Sequence, residues 1–153
     1  MDHDALIRFG GSSDLRAVMT LFVAGPEAWR DRTGIDPADL HFFSYFDLPP
    51  YNITYWGLAD DRIAAEAFDT LVEQVFAPVA ADPDIVANGG PAELDLAAAD
   101  RADPWRGAIG QGSAVARFGA GLLQSADPKV LPPVLDGAHM SRQPLRQDPA
   151  QRA

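Results

Sequence analysis

The chain has few of the side chains that usually carry chemistry. It contains no cysteine and three histidines, His3, His41 and His139. No two histidines have the spacing of an HxxxH or HExxH motif, so the sequence predicts no metal site. No serine lies in a GxSxG motif, and a cysteine nucleophile is excluded. The sequence therefore favours a protein that is not an enzyme, and it predicts no cofactor.

One grouping, Asp39, His41 and Tyr45, has some chemical promise. If this segment is helical, Tyr45 lies about one turn after His41 on the same face, within reach of its imidazole. A histidine that is hydrogen-bonded at the edge of a core is the more common situation. The grouping supports an alternative function, a small enzyme or ligand-binding protein with an aromatic pocket around His41 and Tyr45.

These residues belong to the most aromatic part of the chain, HFFSYFDLPPYNITYW at 41–56, which holds seven of the 14 aromatic side chains. Buried rings stabilise a core, and tyrosines beside a rigid Pro-Pro pair are typical of protein interfaces. We expect both roles, with Phe42, Phe46 and Trp56 in the core. Three tyrosines are expected to line a partner-binding groove: Tyr45, Tyr51 and Tyr55.

The charge indicates the kind of partner. The net charge is −10 at pH 7, and without a basic stripe it disfavours nucleic acid. Residues 1–136 carry 9 basic and 21 acidic side chains, a net charge of −12, whereas residues 137–153 carry three arginines and one aspartate, a net charge of +2. A basic protein or peptide is the expected partner. Its expected ligands are carboxylates on one helix face: Glu66, Asp69 and Glu73.

The basic segment 137–153 begins with GAHM, which resembles the junction left by a cloning linker. Residues 1–136 would then form one acidic domain, followed by a flexible native tail, a vector remnant or a peptide ligand fused on purpose. We expect Arg142, Leu145 and Arg146 to bind the acidic domain. The tail should be extended, because its two prolines disfavour a helix. A homo-oligomer is a further alternative.

The first residues, MDHDALIRFGG, contain neither a basic leader nor a long apolar run. No signal peptide or membrane anchor is predicted, and a cytoplasmic protein is expected. The abundance of Arg, Ala, Asp, Gly and Pro favours a GC-rich bacterial genome.

Helical signals dominate the chain. Apolar residues recur at helical spacing in SSDLRAVMTLFVAG, with Ser12 or Ser13 as the cap, and PEAWRDRTG follows with Trp29 as its buried anchor. A longer helix is predicted within residues 58–80, where an apolar face opposes a charged one. Pro or Asp-Pro signals predict three more helix starts, at Asp36, Pro91 and Asp103.

The predicted fold is therefore mainly α, a compact bundle of five or six helices, with α+β as the alternative. The 153 residues suffice to bury the core of one domain. A short β-hairpin would form near ALIRF or NITYWGL, and residues 82–90, DPDIVANGG, are expected to be a loop. The function that the sequence favours is a protein-interaction or adaptor domain that recognises a basic, arginine-containing peptide.

Overall fold

The computed structural model describes residues 16–48, 51–80 and 82–141, with backbone only at residues 16–18, 47, 48, 51, 83 and 138–141. Within these ranges the chain forms four α-helices and six strands. The helices are α1 (Arg16–Ala24), α2 (Pro26–Thr33), α3 (Asp61–Glu73) and α4 (Leu131–Ser141). The strands are β1 (Leu40–Leu48), β2 (Tyr51–Leu58), β3 (Ala77–Val79), β4 (Asp82–Ala87), β5 (Ala114–Arg117) and β6 (Gly121–Ser125).

The prediction of a mainly α helical bundle is wrong. The six strands form one sheet in the order β1-β2-β6-β5-β4-β3, and every neighbouring pair is antiparallel. The sheet is buried on two faces, so its central strands have apolar residues at consecutive positions instead of every second one. Such short apolar runs do not show the period of two that distinguishes a half-exposed strand from a helix.

The aromatic stretch forms β1 and β2 instead of a helix. Asp36 does cap a turn, because its side chain accepts a backbone N–H at 2.9 Å, but the turn is only the 3-10 helix Pro37–Asp39. Aromatic side chains favour strands, where they pack across to a neighbour. Phe43 lies opposite Trp56, with ring centroids 4.9 Å apart.

Predictions for the second half of the chain are also wrong. The expected loop at 82–90 contains β4, and the expected helix after Pro91 is reduced to the 3-10 turn Leu96–Ala98. No α-helix starts at Asp103, since the glycine-rich sequence that follows supplies β5 and β6. These two strands lie in the middle of the sheet, where small residues fit beneath the covering helices.

The predicted helices α1 and α2 are confirmed within the described residues, and the third is confirmed for α3 only, since residues 77–79, also predicted helical, form β3. Gly34 ends α2 with a φ of 70°, a conformation that favours glycine. Asp60 caps α3 by accepting the Ile63 N–H at 2.9 Å. Local capping and spacing therefore sufficed to place these three elements.

The helical spacing of Leu15, Val18, Met19 and Phe22 predicts that they form the inner face of α1, and this prediction is wrong for Met19 and Phe22. Met19 and Phe22 are exposed, whereas Thr20 and Leu21 are buried. The indole N–H of Trp29 on α2 donates to the Thr20 hydroxyl at 3.3 Å, which holds this side of α1 inward. The predicted serine caps of α1 lie outside the described residues.

Two faces of the sheet carry separate apolar clusters. On the first, which we call the tryptophan face, α1, α2, α3 and residue Trp105 pack on the strands. On the second, the α4 face, Leu131 of α4 packs on strand residues such as Ile53 and Ile85. Successive residues of one strand alternate between the clusters: Leu122 belongs to the first and Leu123 to the second.

The backbone of α4 continues through residues 137–140 to Ser141, so GAHM is helical here. The predicted domain boundary after residue 136 stays a prediction. Within the described ranges, no helix is long and apolar enough to cross a membrane.

Candidate binding groove

An open groove of about 750 Å³ lies beside β3, at one edge of the sheet and on the α4 face. Segments from four parts of the chain form it: the turn after α3, the β3–β4 hairpin, the turn after β4 and the segment that leads into α4. Its apolar wall includes Val75, Val79, Ile85 and four prolines. We call it the proline groove after Pro78, Pro91, Pro128 and Pro132.

Three polar side chains line the proline groove: Asp82, Asn88 and Lys129. A carboxylate oxygen of Asp82 already accepts the Asp84 N–H at 3.1 Å. Lys129 is the chain's single lysine, and its ammonium makes no ion pair with any carboxylate of the described residues. The groove thus offers one partly used carboxylate acceptor, the side-chain NH2 of Asn88, and one cation that forms no ion pair with the described residues.

Asn88 fixes the end of β4 at the groove wall. Its side-chain oxygen accepts the Ser113 N–H at 2.7 Å, and its own N–H donates to the Ser113 carbonyl at 3.1 Å. Its carbonyl also accepts from the guanidinium of Arg106. Because Asn88 is buried and its N–H, its carbonyl and its side-chain oxygen are all hydrogen-bonded, this wall is preformed.

Hydrogen bonds continue from Ser113 to the tryptophan face. The Ser113 hydroxyl accepts from the Gln124 amide at 2.9 Å, and the Gln124 carbonyl oxygen accepts from the Trp56 indole at 3.0 Å. Trp56 stacks between Trp29 and Trp105, at centroid distances of 5.9 and 4.6 Å and interplanar angles of 15° and 18°. The groove wall is therefore anchored to the most closely packed part of the core.

The turn after β4 has a strained residue. Ala92 adopts a φ of 53°, which is unusual for a residue other than glycine. Its N–H donates to the Ala126 carbonyl at 2.9 Å, and Glu93 accepts the Gly90 N–H at 2.5 Å. Such strain is often found at functional sites, and here it lies beside Pro91 in the groove wall.

A second cleft, of about 470 Å³, lies at one end of the sheet between α3 and α4. Its polar side chains are Asp69, Asp84 and Arg117. Within the described residues Arg117 forms no ion pair inside 4.0 Å, so the cleft holds unpaired charges of both signs. Neither cleft is lined by His41 or Tyr45.

Asp39, His41 and Tyr45 do not share a helix face, because His41 and Tyr45 belong to strand β1. His41 is exposed at an irregularity of the β1–β2 pairing, and Tyr45 is half-buried further along β1. Four residues of strand span about 13 Å, so the imidazole and the phenol are not neighbours. The structure therefore does not bring the imidazole and the phenol together.

The predicted partner-binding tyrosines have different surroundings. The Tyr55 ring packs against Phe42 and Phe118, at centroid distances of 5.7 and 6.1 Å, and its hydroxyl donates to the Phe118 carbonyl at 3.5 Å. Tyr45 lies opposite Thr54. Tyr51 is the first residue of β2, and the structure describes its backbone only. Phe42 and Phe46, which were expected inside, are exposed, whereas the expectation for Trp56 is correct.

The predicted carboxylates lie on the exposed side of α3. Glu66 accepts from Arg62 at 2.7 Å, and this hydrogen bond and charge, helped by Asp60 and Asp39, raise the pKa of Arg62. Asp69 borders the smaller cleft, and Glu73 is exposed at the end of α3. Their role as partner ligands stays a prediction. The predicted peptide residues Arg142, Leu145 and Arg146 lie outside the described residues.

Much of the acidity has a structural use that the sequence analysis missed. Aspartate side chains accept backbone N–H groups two or three residues later and so close turns or cap helices. They do so at Asp36, Asp60, Asp82, Asp95, Asp100, Asp103 and Asp127. The negative charge therefore cannot be assigned to partner binding as a whole. The described residues contain no group of three His, Asp or Glu side chains suited to a metal ion.

The proline groove was also missed, although its prolines and the Asn-Gly-Gly turn stand out in the sequence. No protein-family model, curated protein or solved structure matches the chain. The function is therefore argued from the chain's own geometry.

Proposed function

We propose that the chain is a non-enzymatic protein-interaction domain that binds an extended, basic segment of a partner protein in the proline groove. The observation that carries the proposal is the groove itself, about 750 Å³ and mainly apolar. An open apolar groove beside a sheet edge suits an extended segment, which can insert one or two side chains while its backbone remains near the surface.

The groove is prepared for binding. Proline side chains lose no rotamer freedom when a ligand orders them, so four prolines in the wall reduce the entropic cost of association. Asn88 is held by Ser113 and Arg106 before any ligand arrives. The site therefore needs little rearrangement.

Charge around the groove favours a basic segment. Asp82 lines it, and Glu93 and Asp127 lie within two residues of lining positions, against the cations of Lys129 and of Arg106, whose guanidinium binds the Asn88 carbonyl. Together with the net charge of −10, this arrangement attracts arginine side chains, and salt should weaken the attraction.

The segment 141–153, SRQPLRQDPAQRA, is the first probe to test. The helix α4 starts at the groove and is about 16 Å long, and the 12 residues that follow could span about 40 Å if extended. The tail is therefore long enough to return to the groove of its own chain. Leu145 would enter the apolar wall while Arg142 and Arg146 meet the carboxylates.

The test is fluorescence anisotropy of a labelled SRQPLRQDPAQRA peptide titrated with the full chain at low and high salt. Val75 is 69% exposed and lines the groove, so Val75→Lys should weaken binding about tenfold or more, since it adds a blocking cation. Val72, 44% exposed on α3 and outside the groove, provides the matched control Val72→Lys. A Leu145→Asp chain is the second receptor, in which the attached segment should compete less.

Saturable binding that Val75→Lys weakens and Val72→Lys leaves unchanged would support the proposal. Equal binding to the two lysine variants would place the peptide elsewhere. If neither receptor binds the peptide at low salt, the attached segment is not the ligand, and an arginine-containing peptide library displayed against the full chain becomes the deciding test. A library that yields no binder sensitive to Val75→Lys would overturn the proposal.

A second candidate function, binding of a small apolar carboxylate, is favoured by the unpaired Lys129 in an apolar wall. The groove volume falls within the range of about 300–1,000 Å³ that small-molecule sites occupy. Titration with decanoate, followed by the chemical shift of groove residues, tests it. Decanoate binding that Lys129→Met abolishes, without peptide binding, would favour this function.

A further inference from the structure

We propose that the second cleft binds a free basic α-amino acid such as arginine or lysine. This cleft, which we call the charged cleft, lies between α3 and α4, and its charged side chains are Asp69, Asp84 and Arg117. It shares no lining residue with the proline groove. The inference therefore does not depend on the proposed function.

The first observation is the guanidinium of Arg117, at the end of β5. It forms no hydrogen bond, and no ion pair inside 4.0 Å, with any residue that the structure describes. By contrast, Arg30, Arg32 and Arg62 each have a carboxylate partner. A guanidinium presents a planar fork of N–H donors that matches a carboxylate in bidentate geometry. Arg117 thus offers the charged cleft a place for a ligand carboxylate.

The second observation is that the two carboxylates of the charged cleft have no structural use within the described part of the chain. Seven other aspartates accept backbone N–H groups and so close turns or cap helices. The side chains of Asp69 and Asp84 accept no such bond from a described residue. Asp69 lies on α3 and Asp84 on β4. Two separate elements therefore each supply an acceptor for a ligand cation.

The register of the sheet sets the order of these charges. Ile85 of β4 pairs with Ala116 of β5, so the next positions outward, Asp84 and Arg117, are neighbours at one end of the sheet. Ile85 and Ala116 belong to the α4 face. Because successive residues of a strand alternate between faces, Asp84 and Arg117 turn toward α3, which carries Asp69. The cleft thus has neighbouring opposite charges on the strands and a second anion on the helix.

A basic α-amino acid carries the complementary charges. Its carboxylate and α-ammonium are attached to one carbon, which suits the neighbouring Arg117 and Asp84. Its side-chain cation lies at the end of a stem of about three or four methylenes and would bind Asp69. One anion and two cations of the ligand then meet one cation and two anions of the cleft. A diamine would leave Arg117 without a partner, and a neutral amino acid would do the same to Asp69.

The ligand's stem also has a surface to pack on. Phe68 of α3 and Leu135 of α4 line the charged cleft and are half-buried. Methylene stems commonly lie along such apolar surface while their charged ends reach polar partners. The cleft volume of about 470 Å³ is within the range of about 300–1,000 Å³ that small-molecule sites occupy. Its size and its lining therefore both suit a single amino acid.

The test is a nuclear magnetic resonance titration of the full chain at low salt with L-arginine and with three analogues that each lack one charge. Agmatine lacks the carboxylate, N-acetyl-L-arginine lacks the α-ammonium, and L-citrulline lacks the side-chain cation. Each analogue should bind about fivefold more weakly than arginine or worse, the usual upper effect of one exposed charge pair. The backbone amides of Gly119 and Leu135, in the cleft wall, report binding.

Substitutions identify the partner of each ligand charge. Arg117→Gln should weaken arginine binding about fivefold but leave agmatine unchanged, because agmatine has no carboxylate to lose. Asp84→Asn should likewise weaken arginine but spare N-acetyl-L-arginine, and Asp69→Asn should weaken arginine but spare citrulline. Arg101→Gln and Asp31→Asn make the same changes of charge at exposed positions outside the cleft and serve as controls. A general disturbance of the fold would instead weaken every ligand alike.

The proposal fails if arginine produces no saturable shift at the cleft amides. Equal binding of arginine and agmatine would also overturn it, since an acidic chain attracts any cation without needing a carboxylate. If N-acetyl-L-arginine binds as tightly as arginine, the cleft recognises the C-terminal residue of a peptide instead of a free amino acid. An effect of Arg101→Gln as large as that of Arg117→Gln would place the ligand elsewhere. Val75→Lys, which blocks the proline groove, should leave arginine binding unchanged, so this test and that of the proposed function fail separately.

Discussion

The two faces of the sheet differ in the elements that cover them. Both receive apolar side chains from the same strands, but three helices and a stack of three indoles close the tryptophan face. Among the described residues, one helix of 11 residues covers the α4 face, and apolar surface is exposed on both sides of this helix. The proline groove lies on one side of α4, and the exposed Phe42 and Phe46 lie on the other.

This difference separates stability from recognition within one sheet. The tryptophan face combines burial with satisfied hydrogen bonds, which makes a single rigid packing arrangement. The α4 face keeps apolar surface in contact with water at two places, and such surface is commonly reserved for partners. Substitutions on the first face should therefore change unfolding, and those at the margins of the second should change association.

The largest effect is expected at Trp56, which is fully buried at the centre of the indole stack. Trp56→Ala should destabilise the protein by about 3–5 kcal/mol, because it leaves a cavity and removes both stacking contacts. Urea denaturation followed by far-ultraviolet circular dichroism measures this cost. If Trp56→Ala lowers the free energy of unfolding by less than a substitution of an exposed residue does, the tryptophan face is not the main source of stability.

Leu131, buried where α4 meets the sheet, provides the corresponding test of the α4 face. Leu131→Ala should cost about 2–5 kcal/mol, and Val134→Ala, on the exposed side of α4, about 0.5 kcal/mol or less. The same denaturation experiment applies. If Leu131→Ala costs less than Val134→Ala, α4 does not close this face.

The hydrogen bonds between the faces are tested at Gln124. Gln124→Met keeps the length of the side chain but leaves the Trp56 indole N–H without its acceptor, at an expected cost of about 1–3 kcal/mol. Gln74→Met removes an exposed side-chain bond to the Asp31 carbonyl and serves as the control. Equal effects of the two variants would contradict the importance of the buried hydrogen bonds.

The smallest effect is expected at Asp100, which ties the segment before Trp105 to α2. The Ala102 N–H and the Arg32 guanidinium, 2.6 Å away, lower the pKa of Asp100. Because the pair is exposed, Asp100→Asn should cost only about 0.2–1 kcal/mol at pH 7. A lowered pKa in the folded state contributes stability above the unfolded pKa and loses it as the pH falls through the folded value.

The difference between Asp100→Asn and the unmodified chain should therefore disappear in acid. Denaturation midpoints of both chains, measured from pH 7 down to the acid limit of folding, check this. A difference that grows as the pH falls would have the wrong sign for the proposed pairing.

Sequence reasoning predicted the elements whose signals are local. Gly34 after α2 and Asp60 before α3 are capping residues that act within one turn of the helix they bound. It failed for β4, β5 and β6, because runs such as AVAR and GLLQS are buried on both faces. Their alternation appears only when the helices on either side are known.

The candidate sites show the same division. The aromatic segment 41–56 was recognised as unusual, but its high content of strand-favouring rings was overlooked in favour of helical spacing. The proline groove could not be predicted, since it combines residues as distant in sequence as Val75 and Pro132.

The position of the indoles gives the protein a built-in optical probe. All three tryptophans belong to one stack, so intrinsic emission and near-ultraviolet circular dichroism report on a single place. Detachment of α4 should leave these signals nearly unchanged while far-ultraviolet ellipticity falls. Comparing the two spectral ranges during heating would thus separate local opening of α4 from global unfolding, without any label.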